Sequence, residues 1–272
     1  MAATVQPEQT ATAVAEEDAG GRMSFYEHLV DLRKRLVNSL IAIGIGAIVG
    51  FGISKHVINY IIQPMRTALR ANHLEDQLYY TSPASYVSLV INLGIYLGIG
   101  MAMPFVLFQV WQFIAPGLYK HERRAAAGFI ISSMSLFLCG IAFAYYVLLP
   151  QTLTFIVGFA NDGAIKPLIS INEYFSLILV VMLGLGIIFE LPVLIFILSV
   201  FGIVTPKFLL KNFRYAMLLI TVAAAIVTPT PDATTMLVFM APMIALYFVG
   251  IFVSYAVVRN KRAKESAERG KL

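Results

Sequence analysis

The chain contains few charged residues, and this shortage defines its broad class. Only 13% of the 272 residues are Asp, Glu, Lys or Arg, whereas 59% are hydrophobic. A soluble globular protein is roughly half apolar and about a quarter charged. The apolar residues also form blocks long enough to cross a bilayer, which takes about 20 residues of helix. The composition therefore indicates an integral membrane protein and excludes an ordinary soluble domain.

Cysteines, metal-ligand clusters and nucleotide-binding motifs are also missing. Cys139 is the single cysteine, so the chain can form neither an internal disulfide nor a multi-thiolate metal site. The four histidines show no ligand spacing, and there is no glycine-rich phosphate loop and no Gly-x-Ser-x-Gly elbow. We therefore expect no cofactor, no metal and no enzymatic activity. Any energised work must draw on an external source.

Six apolar blocks predict six transmembrane helices. Backbone groups in lipid need internal partners, so helices are required rather than open strands. The fourth block contains Pro192 and is expected to kink, and the fifth is short for a bilayer. The predicted fold is an all-α, polytopic membrane protein. The blocks are Leu36–Ile53, Tyr86–Phe108, Ala125–Leu149, Tyr174–Val200, Phe213–Val227 and Ala233–Val258.

The distribution of Lys and Arg predicts the orientation. With the N-terminus inside, the inner segments hold 16 of the 20 cations and the outer segments hold four. Cytoplasmic loops of membrane proteins are enriched in Lys and Arg, so both termini are expected in the cytoplasm. The same bias accounts for the net charge of +5. Nucleic-acid binding is therefore not needed to explain the charge, and we expect none.

The chain divides into one membrane domain and two tails. Residues 1–22 are acidic and hold a single cation, which predicts a disordered cytoplasmic tail rather than a signal or transit peptide. Residues 23–258 form the predicted six-helix domain. Residues 259–272 form a basic cytoplasmic tail.

The segment between the first two blocks is predicted to form a short amphipathic cap along the outer face. Helical spacing connects Val57, Ile58, Ile61 and Ile62, and Pro64 follows. Such a one-sided apolar pattern is typical of a helix lying against an apolar surface.

Glu190 is a carboxylate inside the fourth apolar block. It follows Tyr174 by about 24 Å of helix, and an ionised carboxylate at such a depth costs at least about 2.5 kcal/mol. Two interpretations are open. Glu190 is either a protonated structural contact to a neighbouring helix, or a proton site or polar contact for a translocating chain.

Three further acids lie near helix ends, and each has a structural explanation. Asp31 can pair with Lys34 or Arg35 at the i+3 or i+4 position, or with an external cation; spacing alone favours the internal pair. Glu122 falls in the first turn of the third predicted helix, where a negative charge is stabilised. Asp232 is placed to cap the sixth predicted helix.

Four motifs, taken in order, resemble those of the TatC family, whose members are large receptor subunits of the twin-arginine, Sec-independent protein translocase. The resemblance extends from about Met23 to Val258 and includes the predicted topology. The motifs are His28–Arg35 (HLVDLRKR), Phe113–Arg124 (FIAPGLYKHERR), Phe189–Pro192 (FELP) and Thr228–Asp232 (TPTPD).

The resemblance implies a function and a set of partners. Such a protein binds the twin-arginine signal peptides of folded proteins at its cytoplasmic face. It then recruits small single-span subunits of the TatA and TatB types, using the proton motive force. It lies in the bacterial cytoplasmic membrane and forms homo-oligomers in the complex. By motif position, the resemblance places the signal-peptide site at Asp31, Arg33, Phe113, Leu118 and Glu122, the intramembrane acid at Glu190, and two outer functional candidates at Pro64 and Asp232.

The chemistry of the proposed ligand fits two of these residues. Two guanidinium groups pair best with two carboxylates, and Asp31 and Glu122 are both predicted on the inner face, among cations that repel other basic ligands. Two positions depart from the family pattern. Asp31 stands where Glu is usual, and Met236 stands where a polar Gln is frequent, which weakens any polar docking cluster there.

The main alternative is a proton-coupled transporter of small solutes with Glu190 as the coupling acid. That function requires polar groups converging near the middle of the membrane, and the sequence offers no second intramembrane charge. An intramembrane hydrolase would require a nucleophile and a base, and no such pair is recognisable.

Overall fold

The computed structural model describes residues 25–114, 126–160, 168–228 and 232–269. These residues form helices, together with one isolated parallel bridge. The predicted disordered tail, residues 1–22, lies outside the described residues. The helices are α1 Phe25–Ile61, α2 Gln63–Ala71, α3 Ser85–Ile114, α4 Ala126–Phe143, a π-helical turn Ala144–Leu148, α5 Leu149–Ala160, α6 Ile171–Ile188, α7 Leu191–Val200, α8 Pro206–Lys211, α9 Phe213–Val227 and α10 Ala233–Arg269.

The helices confirm the six predicted spans. Five helical stretches are long and apolar enough to cross a membrane, and α9 is a shorter apolar helix. We call the end of the bundle where α1 begins the basic end, and the end that carries α2 the cap end. The helix α10 continues past the predicted boundary at Val258 as far as Arg269. The first part of the predicted basic tail is therefore a continuation of this helix.

The fourth predicted span breaks where the sequence indicates. The helix α6 ends at Ile188, and α7 begins at Leu191 with Pro192 in its first turn. Proline has no N–H group, and its ring is disfavoured in a helix interior but suits a helix start. The predicted kink is confirmed, and it places Glu190 at the junction of the two helices.

The predicted cap begins later in the chain than expected. Val57, Ile58 and Ile61 belong to the last turns of α1, and the amphipathic cap is α2. Ile61 and Ile62 are buried because they continue the face of α1 that enters the core. Their apolar spacing therefore reflected the end of the first span. The helix α2 buries a separate face made of Pro64, Met65, Ala68 and Leu69.

Helices α1 and α3 approach each other closely and are in contact at four glycines. A Cβ atom added at Gly46 would lie 2.6 Å from the carbonyl oxygen of Gly98, and one added at Gly98 would overlap the backbone of Ala47. Gly50 and Gly94 approach each other in the same way. Small residues four apart allow helix backbones in membranes to approach closely. This contact fixes the two helices that carry the predicted site at the basic end.

The cap end is held by contacts between α2, α5 and the loop before α6. The amide Nδ2 of Asn72 donates to the carbonyls of Ala68 (2.9 Å) and Thr154 (3.2 Å). A parallel bridge joins Tyr79, in the loop between α2 and α3, to Ser170, in the loop before α6. It is formed by two backbone hydrogen bonds of 3.0 Å. Backbone groups of both loops are thereby satisfied away from any helix.

The helix α6 lies at the centre of the hydrophobic core. Its side chains Tyr174, Phe175, Ile178 and Leu185 are at most 2% exposed. Helices α7 and α10 pack together, and the Ser199 hydroxyl of α7 donates to the Ser254 hydroxyl of α10 at 2.8 Å. Hydroxyl pairs of this kind are typical links between helices in membranes.

Candidate functional site

Asp31 lies at the basic end in a network that joins α1 to α3. Its Oδ2 atom accepts a hydrogen bond from Arg35 Nε at 2.7 Å. Arg35 also donates through Nη1 to Gln112 Oε1 at 2.5 Å. The side chains of Asp31 and Arg35 are 19% and 18% exposed. The predicted internal ion pair is confirmed, with Arg35 as the partner of Asp31.

Phe113 joins the same network from the last turn of α3. Its ring stacks on that of His28, with 4.2 Å between the centroids and 20° between the planes. His28, Asp31 and Arg35 are spaced three and four residues apart and therefore share one face of α1. The structure thus brings Asp31 and Phe113 to one place at the basic end.

Of the three remaining residues predicted for this site, the structure describes Arg33 alone. Arg33 is exposed, two residues from Asp31, and so lies on another face of α1. Leu118 and Glu122 lie outside the described residues. The described part of the predicted site is therefore an acid and an aromatic ring at the meeting point of two helix ends, with the exposed cation Arg33 on another face of α1.

The paired carboxylate of Asp31 keeps capacity for a second cation. An ionised carboxylate has two oxygens and about four lone-pair sites, and Arg35 engages Oδ2. Arg35 holds the carboxylate in one orientation because it is itself fixed by Gln112. A ligand guanidinium would therefore meet a preoriented acceptor, with the charge of Arg35 opposing its approach.

Glu190 forms a separate polar contact inside the bundle. The Ser133 hydroxyl of α4 donates to Glu190 Oε2 at 2.5 Å. The other oxygen, Oε1, is buried without a hydrogen-bond partner among the described residues. The helix-to-helix contact that one interpretation of Glu190 requires is present. Glu190 lies at the junction of α6 and α7, whereas Asp31 and Phe113 lie on α1 and α3.

The two candidates at the cap end have structural roles. Pro64 is buried in the first turn of α2. Asp232 caps α10, since its Oδ1 atom accepts the backbone N–H of Thr235 at 2.7 Å. The predicted N-cap is confirmed. Met236, where the family frequently has Gln, is partly buried and packs against the hydrophobic core.

An ion pair at the cap end was not foreseen from the sequence. Arg70 Nε lies 2.9 Å from Asp76 Oδ2, and the guanidinium lowers the pKa of this carboxyl below its usual range. The two residues are six apart, on a helix and a loop, so helical spacing gave no signal for the pair. Ser133 and Gln112 were missed for a similar reason, because their partners are distant in sequence.

Fold and site define a polytopic helical membrane protein with a polar site at the paired ends of its first two spans. The family model of the Sec-independent protein translocase protein (TatC) matches residues 27–242. The chain belongs to the TatC family and is a component of a Sec-independent protein translocase. The predicted family and six-span architecture are confirmed.

Individual relatives agree with this family. The chain is 42% identical to TatC of Koribacter versatilis over 247 residues, covering 90% of each protein. It is 32% identical to TatC of Aquifex aeolicus, covering 90% of this chain and 100% of that protein. A crystal structure of the twin-arginine translocase receptor TatC superposes with a TM-score of 0.76 at 32% identity, covering 85% of this chain and 100% of that one.

Proposed function

We propose that this chain is the receptor subunit of a twin-arginine translocase and binds twin-arginine signal peptides at its basic end. The observation that carries the proposal is the fixed carboxylate of Asp31 beside the Phe113 ring, where α1 meets α3. A carboxylate is the natural partner of a guanidinium, and arginine differs from lysine in offering a planar, bidentate fork. Glu122, carried over from the family motif, supplies the second carboxylate.

The proposal includes an orientation and a set of partners. The basic end faces the cytoplasm of a bacterial cell, and the cap end faces outward, in agreement with the bias of Lys and Arg. Family membership implies further translocase subunits. We assign these to single-span proteins of the TatA and TatB types, with several copies of this chain in the working complex and the proton motive force as the energy source.

The alternative of a proton-coupled solute transporter has less support. Glu190 is hydrogen-bonded to Ser133 in a contact that joins α6 and α7 to α4. Family membership favours protein transport. We assign Glu190 a structural role as a polar link between helices.

Site-specific photocross-linking tests the binding site. A photoreactive residue replaces Phe113 in the protein reconstituted with its translocase partners, and a second variant carries it at Phe159, an exposed position of α5 near the cap end. A twin-arginine signal peptide should cross-link at position 113 and not at 159. A twin-lysine peptide should cross-link at least about tenfold less at 113, since it lacks the bidentate fork. Equal yields from the two peptides, or stronger labelling at 159, would contradict the proposed site.

A further inference from the structure

The path from α1 into α2 is a nearly continuous helix with a proline inside it. The helix α1 ends at Ile61, α2 begins at Gln63, and Ile62 between them keeps helical backbone angles. In a regular helix the carbonyl of Tyr60 would accept the N–H of residue 64. Residue 64 is proline, which has no N–H, so this carbonyl loses its regular donor. A carbonyl left without a donor at membrane depth is costly.

Tyr145 provides a donor for this carbonyl. Its hydroxyl lies 2.7 Å from the carbonyl oxygen of Tyr60, and its ring stacks on the Tyr60 ring with the centroids 4.8 Å apart. Tyr145 is only 7% exposed. It belongs to the π-helical turn Ala144–Leu148, a widened turn that changes the direction of the following side chains.

Tyr174 acts on the next carbonyl in the same way. Its hydroxyl donates to the carbonyl of Ile61 at 2.6 Å. In a regular helix this carbonyl would accept the N–H of Met65. Tyr174 therefore supplies a donor to a second carbonyl where α1 passes into α2. Tyr174 is 2% exposed and belongs to the central helix α6.

We propose that Tyr145 and Tyr174 are positioning residues that fix the angle of the cap helix α2 by bonding to two successive backbone carbonyls where α1 passes into α2: that of Tyr60, whose regular donor Pro64 removes, and that of Ile61. One tyrosine comes from the turn between α4 and α5, and the other from α6. The kink is thus tied to two further spans. This assignment extends beyond the proposed function, and it gives buried Pro64 a defined consequence.

A double-mutant cycle tests the proposal in the purified full-length protein. Hydrogen exchange is measured by mass spectrometry on peptides covering residues 62–71. Tyr145→Phe should accelerate exchange there about fivefold, the effect of losing one net hydrogen bond. In a Pro64→Ala background, the new N–H of residue 64 can serve the Tyr60 carbonyl. The same Tyr145→Phe change should then accelerate exchange less than twofold.

Tyr247 provides a matched control at the basic end. Its buried hydroxyl donates to the carbonyl of Leu209 at 3.0 Å, far in sequence from Pro64. Tyr247→Phe should accelerate exchange around residues 206–213 equally with proline or alanine at position 64. An equal effect of Tyr145→Phe on residues 62–71 in both backgrounds would overturn the proposal.

A second comparison remains valid if Pro64→Ala fails to fold. Tyr146 is next to Tyr145 in the same turn, but it is 66% exposed, and its hydroxyl shares a hydrogen bond with the Tyr60 side chain rather than the backbone. Tyr146→Phe should change exchange in residues 62–71 less than twofold in the native background. Equal acceleration by Tyr145→Phe and Tyr146→Phe would overturn the proposal. Neither comparison involves peptide binding, so its outcome is independent of the receptor function.

Discussion

At the scale of single residues, two polar contacts join helices that are distant in sequence. Arg35 bonds to Asp31 and also to Gln112, which is 77 residues from Arg35, and Ser133 bonds to Glu190, 57 residues away. The sequence indicated the acids because charges inside or beside apolar blocks are costly and need a reason. It could not indicate Gln112 or Ser133, because uncharged polar residues are common in such segments and their partners depend on tertiary packing.

The Ser133 contact predicts the behaviour of Glu190. Ser133→Ala leaves a buried carboxyl oxygen without its donor and should destabilise the protein by about 1–3 kcal/mol. Glu190→Gln keeps an oxygen that can accept from Ser133, so its thermal unfolding temperature in detergent and its export of a reporter should stay close to the wild-type values.

Ser132 is the matched control, because it is exposed on the same helix. Ser132→Ala should have little effect on the unfolding temperature. If Glu190→Gln abolishes export while leaving the unfolding temperature unchanged, Glu190 acts through its proton, and the structural assignment is wrong.

At the scale of helices, apolar length predicted the spans, and proline predicted the break between α6 and α7. The start of the cap was misplaced, because the apolar spacing at Val57–Ile62 fits a helix end as well as a separate amphipathic helix. The crossing of α1 and α3 had a signal in the sequence: Gly46 and Gly50 form one Gly-x-x-x-Gly pattern, and Gly94 and Gly98 form another. That pattern is associated with close helix contacts in membranes.

The glycine crossing predicts a contrast within α3. A Cβ at Gly98 would overlap the backbone of Ala47, whereas one at Gly100 would meet nothing within 4 Å. Gly98→Ala should therefore destabilise the protein by about 1–3 kcal/mol through overpacking. Gly100→Ala should be neutral or stabilising by up to about 1 kcal/mol, because alanine favours the helix.

Thermal unfolding of the two purified variants in the same detergent measures this difference. Gly98→Ala should also weaken signal-peptide binding, because the crossing positions the helix ends that carry Asp31 and Phe113. Equal unfolding temperatures for the two variants would show that the contact between α1 and α3 has room for a Cβ atom at position 98.

At the scale of the whole molecule, composition and charge distribution were sufficient to predict a six-span helical membrane protein. They could not predict which spans touch, because an apolar helix in lipid has no burial pattern that reveals its neighbours. The division into a basic end and a cap end adds an orientation that can be measured directly.

Cysteine labelling of intact cells tests that orientation. Cys139 is replaced by serine, and single cysteines are placed at Thr67 on α2 and Lys261 on α10, both exposed in the fold. A membrane-impermeant maleimide added from outside should label position 67 and label position 261 only after the cells are opened. The reverse pattern would invert the topology and place the proposed site on the wrong side of the membrane.

The affinity of signal peptides for acid-to-neutral variants measures whether Asp31 and Glu122 bind the two arginines of the signal. Twin-arginine and twin-lysine peptides are titrated against the reconstituted protein carrying Asp31→Asn or Glu122→Ala, with Asp76→Asn at the cap end as the control. Each basic-end variant should weaken twin-arginine binding about 10- to 100-fold, the loss expected for a charged hydrogen bond. Twin-lysine binding, already weak, should change far less, and Asp76→Asn should change neither. Equal losses for both peptides would show that Asp31 and Glu122 do not distinguish arginine from lysine.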